Sequence, residues 1–424
     1  MDPAGEPHVP SFMQEYELPF YAAVALAGLA FAAVDFADRP FPWLRRFLPL
    51  PITAGLLGAL ALLLPRGFGF PVRMPHDGVE VDFLIALLTT NMGLHLTPRV
   101  LRNGLPVFGL FLVAGFCLYW LMLLAALPLA LLTDHPLETA VMTGPLAYVG
   151  APYNLNPPTQ VPPALADLLR PAYADPQATA HGMMMLGIIL GPLLASWSGR
   201  RFFRKAGKEP PQPPAQDEKT PSIAVSVFGQ RMTHLIVLIL ALIALAFSIQ
   251  ALLLAIMPSF SEDILPVIVI SYLLGGLSRL TFERVAGPDR FPEAALTVLL
   301  LGPTMSFVLT YAIMSIPLHQ ITLVTPLMAA SGLLAILTSA AFAWAVFPIF
   351  ARVVDRYYGA VIAMVLIAVT TGWGPVAMSF LRRSTDERGE VEPMPAILPL
   401  NAFFLFPWMV ILTSEFVLST LGSA

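Results

Sequence analysis

Glycine, proline and neutral polar residues are concentrated between residues 143 and 156, inside a chain that is otherwise strongly apolar. Glycine and proline interrupt a helix, and an interrupted backbone offers N–H and C=O groups to a solute. Tyrosine and asparagine add uncharged donors and acceptors. We therefore predict a solute site that includes Thr143, Gly144, Gly150, Tyr153, Asn154 and Asn156. A loop of turn residues outside the membrane is the alternative.

A second stretch of this kind is TTGWGPVA at residues 370–377. It combines two threonine hydroxyls with two glycines and a proline, so that a helix leading into it would end here. We predict that this stretch contributes Thr370, Thr371, Gly372 and Gly374 to the same solute site.

Three consecutive polar residues, Thr89, Thr90 and Asn91, lie in an apolar segment. Hydroxyl, amide and carbonyl oxygens are suitable ligands for a sodium ion. We predict a sodium site at these residues, and hydrogen bonding between packed helices is the alternative. His181 is likewise open to two interpretations, a proton-coupling group or a histidine satisfied at the interface.

Charged residues make up only 12% of the chain, and the patterns of common catalytic sites are absent from the sequence. It contains no H-E-x-x-H motif and no phosphate-binding glycine loop. We therefore predict that the protein is not an enzyme and needs no cofactor apart from a coupling ion. Helix N-termini and backbone amides favour an anionic or zwitterionic solute.

The composition indicates a membrane protein, since 57% of the 424 residues are hydrophobic. A soluble protein of this length could not bury so much apolar surface, so the lipid bilayer is a partner. The net charge of -4 gives no sign of nucleic-acid binding. The single cysteine, Cys117, excludes an internal disulfide, and we expect it to be buried.

Ten apolar segments predict an all-α polytopic fold. They are Leu18–Val34, Leu50–Leu64, Phe83–Leu96, Leu105–Leu132, Thr179–Trp197, Thr233–Met257, Ile264–Leu280, Glu293–Ile316, Ile321–Phe350 and Ala396–Leu418. Basic residues cluster in alternate loops, most densely in GRRFFRKAGK, and cytoplasmic loops are basic. This pattern predicts a membrane protein with both termini outside and residues 199–221 in the cytoplasm.

The proline-rich residues 206–221 divide the chain into two membrane repeats, 1–205 and 222–424. Each repeat has five crossings, so the two have opposite orientation, and each has a broken segment between its fourth and fifth crossing. We interpret the broken segments as re-entrant hairpins that meet near the midplane, as in inverted-repeat secondary transporters. A channel or a non-transporting membrane scaffold with the same fold is the alternative.

Several motifs resemble the sodium/glutamate symporter family of bacteria. The best match is TTNMGLHLTPRVLRNGLPVFGLFL, and LPLPITAGLLGALALLL is similar to the family's second helix. LETAVMTGPLAYVGAPYN falls where the family has a glycine-rich hairpin tip with a histidine. In the second tip, Gly372, Pro375 and Ala377 match the pattern Gly-x-x-Pro-x-Ala.

The resemblance implies an elevator-type transporter of 5+5 helices in the bacterial inner membrane, which forms a homodimer through a scaffold. It also implies symport of sodium with glutamate or a related carboxylate. The chain departs from the family at both tips. Val149, Gly150 and Ala151 replace the paired glycines and histidine of the first tip, and Thr370 and Thr371 stand among the replacements in the second.

Overall fold

The computed structural model describes residues 16–38, 48–75, 78–146, 148, 161, 163–206, 225–256, 267–287, 302–354, 356–372, 377, 380 and 405–422. These residues are nearly all helical, as the apolar segments predict. Gly150, Tyr153, Asn154, Asn156 and Gly374 lie outside the described residues, so their predicted role stays a prediction.

The helices are numbered in chain order. They are α1 Phe20–Asp38, α2 Leu50–Gly67, α3 Val79–Gly93, α4 Pro98–Ala130, α5 Pro136–Val141, α6 Pro163–Leu169, α7 Pro176–Ala206, α8 Val225–Ile256, α9 Val267–Ala286, α10 Gly302–Met314, α11 Pro326–Val353, α12 Arg356–Gly372 and α13 Phe406–Leu421. A π-helical turn, Met142–Leu146, follows α5, and a 3-10 turn, Leu318–Leu323, precedes α11. Two short strands, β1 Tyr16–Glu17 and β2 Val72–Arg73, pair in parallel with Tyr16 opposite Val72.

Six of the described helices are long and apolar enough to cross a bilayer. Their candidate spans are Phe20–Ala37, Leu50–Gly67, Gly104–Ala130, Pro176–Ala206, Met232–Ile256 and Pro326–Val353. Shorter apolar helices occur at Pro303–Met314, Arg356–Thr371 and Phe406–Leu421. Many large apolar side chains on these helices are exposed, which is the expected surface of a polytopic protein in lipid.

The extensive contacts between helices fall into two packing groups. The first packing group contains α1, α2, α3, α8, α9 and α10. The second packing group contains α4, α5, the π-helical turn, α6, α7, the 3-10 turn, α11, α12 and α13. The 3-10 turn also contacts α2, and thereby links the two groups.

Glycines allow close helix crossings in both groups. In the first, a Cβ added at Gly93 of α3 would overlap the carbonyl oxygen of Tyr272 and lie 2.9 Å from the nitrogen of Gly276 in α9. In the second, small residues recur every four positions along α7, and Gly199 packs against Met364 of α12. Such small residues let helix backbones approach closely in a membrane, where dispersion and hydrogen bonds replace the hydrophobic effect.

Each predicted segment overlaps a described helix, but several boundaries differ. The segment predicted from Ile321 begins as a 3-10 turn, and α11 starts only at Pro326, where Thr325 caps it by accepting a hydrogen bond from the Met328 nitrogen.

Cys117 is exposed, so the prediction that it is buried was wrong. Cys117 lies on the side of α4 that faces away from the protein. The outer surface of a membrane helix is as apolar as its buried surface, so the sequence does not distinguish the two.

We expect Gly93→Ala to destabilise the protein by about 1–3 kcal/mol, because backbone atoms of α9 would have to move to admit the methyl group. The measurement is the thermal unfolding midpoint of purified protein in detergent. Gly109→Ala in α4 is the control, since a Cβ there meets nothing within 4 Å. Equal midpoints for the two variants would contradict the close α3–α9 crossing.

Candidate functional site

The first predicted stretch does interrupt the helix. Gly144 lies in the π-helical turn with φ -88° and ψ -111°, values outside the helical region. Thr143 is fully buried, and its hydroxyl donates to the carbonyl oxygen of Thr139 at 2.8 Å. The Thr143 and Ser331 hydroxyl oxygens are 2.7 Å apart. Ser331 of α11 also donates to the carbonyl oxygen of Ala126 at 3.2 Å, so either hydroxyl can be the donor between Thr143 and Ser331.

The second predicted stretch begins where α12 ends. Thr370 is fully buried, and its hydroxyl donates to the carbonyl oxygen of Leu366 at 2.7 Å. The hydroxyl of Ser339, also on α11, lies 2.5 Å from the Thr370 hydroxyl and is therefore its donor. One helix thus bonds both broken segments, through serines that are about 12 Å apart along its axis.

Thr371 is packed against the glycines of α7. Its hydroxyl donates to the carbonyl oxygen of Ile367 at 2.5 Å, and the side chain is fully buried. A Cβ added at Gly187 would overlap the carbonyl oxygen of Thr371, and one added at Gly191 would overlap its hydroxyl. Gly372 follows Thr371 in the sequence and is the last residue of α12.

Tyr148 brings the two broken segments together. It is fully buried, and a Cβ added at Gly187 would lie 2.6 Å from its ring carbon Cδ1 as well as overlapping Thr371. The hydroxyl of Tyr148 rests against Gly332 of α11. The structure therefore places Thr143, Thr370 and Thr371 in one buried junction, and their role in binding a solute stays a prediction. We call Thr143, Tyr148, Ser331, Ser339, Thr370 and Thr371 the junction.

Four of the residues that form or support the junction were missed from the sequence. Ser331, Gly332 and Ser339 lie in a long apolar run without any break, and Tyr148 was passed over in favour of Tyr153. The spacing of Gly187 and Gly191 was a usable signal, because two glycines four residues apart mark a helix face that accepts a close neighbour.

Thr89, Thr90 and Asn91 are buried in the first packing group, in the helix α3 that packs against α9. The hydroxyls of Thr89 and Ser271 are 2.6 Å apart, which is the interhelical hydrogen bond of the alternative interpretation. Thr90 Oγ1 and Asn91 Oδ1 are buried and have no hydrogen-bond partner among the described residues. Two such oxygens fit a cation, and the sodium role stays a prediction. The structure does not bring these residues to the junction.

His181 is buried in α7, with only 3% of its surface exposed, rather than solvated at an interface. Its Nδ1 donates to Gln320 Oε1 at 2.7 Å, and its Nε2 accepts from Gln177 Nε2 at 2.8 Å. Gln177 Oε1 in turn accepts from the Val161 nitrogen at 2.8 Å. This chain of bonds joins the end of the first broken segment to the 3-10 turn, and a proton-coupling role for His181 stays a prediction.

Thr139 of α5 lies just before the first broken segment. Its hydroxyl accepts a hydrogen bond from the Tyr173 hydroxyl at 3.2 Å. Burial raises the pKa of the Tyr173 hydroxyl, and the hydrogen bond to Thr139 lowers it less. Because the hydroxyl therefore stays protonated, it keeps this donor role at neutral pH. No group of three or more His, Cys, Asp or Glu side chains that could hold a metal occurs in the described part of the chain.

We expect Ser339→Ala to lower the stability of the protein by about 1 kcal/mol, because Thr370 loses a buried hydrogen bond. The matched control is Thr338→Ala on the same helix, whose exposed hydroxyl bonds only within α11. Thermal unfolding of both variants in detergent compares them. A loss no larger for Ser339→Ala than for Thr338→Ala would show that α11 does not hold α12 through this bond.

The family model described as Sodium/glutamate symporter matches residues 16–389 of the chain. The match includes both broken segments and all the described helices from α1 to α12. No curated protein matches the chain.

Proposed function

The chain belongs to the sodium/glutamate symporter family, and we propose that it is a secondary active transporter of the bacterial inner membrane. It carries a small anionic or zwitterionic solute, such as glutamate or a related carboxylate, together with sodium. The observation that carries this proposal is the junction, where two broken segments from distant parts of the chain are bonded to α11. Discontinuous segments that meet in this way form the substrate site of many transporters.

The chemistry of the second packing group favours an anion carried with a cation. Its buried polar side chains, within the described residues, are threonine, serine, tyrosine and histidine, without a carboxylate, lysine or arginine. The backbone N–H groups at the break can bind carboxylate oxygens. A sodium ion bound with the solute offsets its negative charge, which is costly to bring into a low-dielectric interior.

Helix packing supports two inverted repeats, 1–205 and 222–424. We propose that α1, α2, α3, α4 and α7 correspond to α8, α9, α10, α11 and α13. Under this correspondence the α3–α9 contact maps onto the α10–α2 contact, and the α1–α10 contact onto the α8–α3 contact. The hydrogen bonds Tyr119–Ser414 and Trp344–Ser198 correspond in the same way, one joining α4 to α13 and the other α11 to α7.

The two packing groups support an elevator mechanism, in which the second group carries the solute past the first. Helices α4 and α11 both start with a capping threonine and a proline, Thr97–Pro98 and Thr325–Pro326, at the points where the chain passes from the first group into the second. In this proposal the first group is the scaffold and forms the homodimer. A cytoplasmic position for the end of α7 is supported by its clustered basic residues, Arg200, Arg201, Arg204 and Lys205.

Uptake by sealed vesicles tests the function. We expect purified protein in liposomes to accumulate labelled L-glutamate with saturable kinetics when sodium is higher outside than inside. The controls are protein-free liposomes and potassium in place of sodium.

Each alternative gives a different result. Flux that neither saturates nor depends on an ion gradient would indicate a channel. The absence of uptake for L-glutamate and related carboxylates, in both sodium and potassium, would indicate a membrane scaffold that does not transport.

A further inference from the structure

The hydroxyl of Tyr148 differs from the other hydroxyls of the junction in how its proton is used. Thr143, Thr370 and Thr371 each donate to a carbonyl oxygen of their own helix. Ser331 donates to the carbonyl oxygen of Ala126 at 3.2 Å, and Ser339 lies 2.5 Å from the Thr370 hydroxyl. Tyr148 Oη is buried and has no hydrogen-bond partner among the residues that the structure describes.

A buried hydroxyl without a partner is unfavourable, whereas phenylalanine would fill the same space without that cost. The side chain is closely surrounded, by Gly187 along its ring and by Gly332 at its hydroxyl. Either glycine would collide with the tyrosine if it carried a Cβ. The neighbouring helices are therefore shaped around a full tyrosine side chain.

The hydroxyl of Tyr148 lies between the two points at which α11 holds the broken segments. It lies beside Gly332, which follows Ser331 on α11 and precedes Ser339 by two helical turns. It thus lies along α11 in the interval between the bond to the first broken segment and the bond to the second. A solute that reaches this hydroxyl can accept its hydrogen bond without displacing a partner among the described residues.

We propose that Tyr148 donates a hydrogen bond from its hydroxyl to a carboxylate oxygen of the transported solute. A phenolic hydroxyl donates one strong hydrogen bond, and a bond to a charged acceptor is worth more than one to a neutral acceptor. Tyr148 is then a specificity-determining residue for carboxylates. This inference rests on the transport function proposed above.

Tyr148→Phe in the full-length protein tests the assignment, with L-glutamate and sodium as the probe. We expect the KM for uptake to rise about tenfold to a hundredfold, since a hydrogen bond to a charged group is lost. We expect the unfolding midpoint without solute to be unchanged or higher, because an unpartnered buried hydroxyl is removed. Stabilisation of the variant by L-glutamate should shift to correspondingly higher concentrations.

Tyr119→Phe is the matched control, because Tyr119 is also fully buried but its hydroxyl bonds to Ser414 at 3.0 Å. We expect the opposite result there, a lower unfolding midpoint and an unchanged KM. Gly332→Ala is a second test, since its methyl group would occupy the position of the Tyr148 hydroxyl. It should raise the KM as Tyr148→Phe does.

The possible failures are distinguishable. Uptake by wild-type protein with an unchanged KM in Tyr148→Phe would overturn the assignment and leave the transport function standing. Wild-type protein that is neither stabilised by L-glutamate nor able to take it up would overturn both.

Discussion

The interruption of the helix at Gly144 is the constraint on which the second packing group depends. In a bilayer, each backbone N–H or C=O group without a partner costs several kcal/mol, so a broken helix must be covered by protein. A helix of the opposite half contributes to the cover in both cases. Ser331 of α11 bonds Thr143 of the first half, and Gly187 of α7 receives Thr371 of the second. Each half thus helps to bury the broken segment of the other.

Much of the fold follows from the length of the apolar runs, because about 20 residues are needed to span lipid. The burial of Thr143, Thr370 and Thr371 also follows from their place at the ends of such runs. The role of Ser331 and Ser339 could not be predicted from the sequence. Whether a serine in a membrane helix faces lipid or another helix depends on how the helices cross, and neighbouring residues do not reveal that. The 3-10 turn before α11 is a similar case, because the run from Ile321 is apolar throughout and Pro326 alone marks the true start.

The elevator proposal and the sodium prediction constrain each other. Thr90 and Asn91 belong to the first packing group, whereas the junction belongs to the second. A sodium ion held only by α3 would stay behind while the solute moved. An ion that travels with the solute needs ligands from the second group, and the carbonyl oxygens released at the breaks are the natural source. The predicted oxygens on α3 would then bind a sodium ion that acts at one end of the movement.

The attachment of both broken segments to α11 has a consequence for how this chain can change in length. The eight-residue interval turns Ser339 by about 80° from Ser331 around the helix, so each serine faces its own threonine. Inserting or deleting one residue within the interval would turn one serine by about 100° and detach one threonine. Length variation among relatives should therefore be excluded from this interval, although loops elsewhere tolerate it.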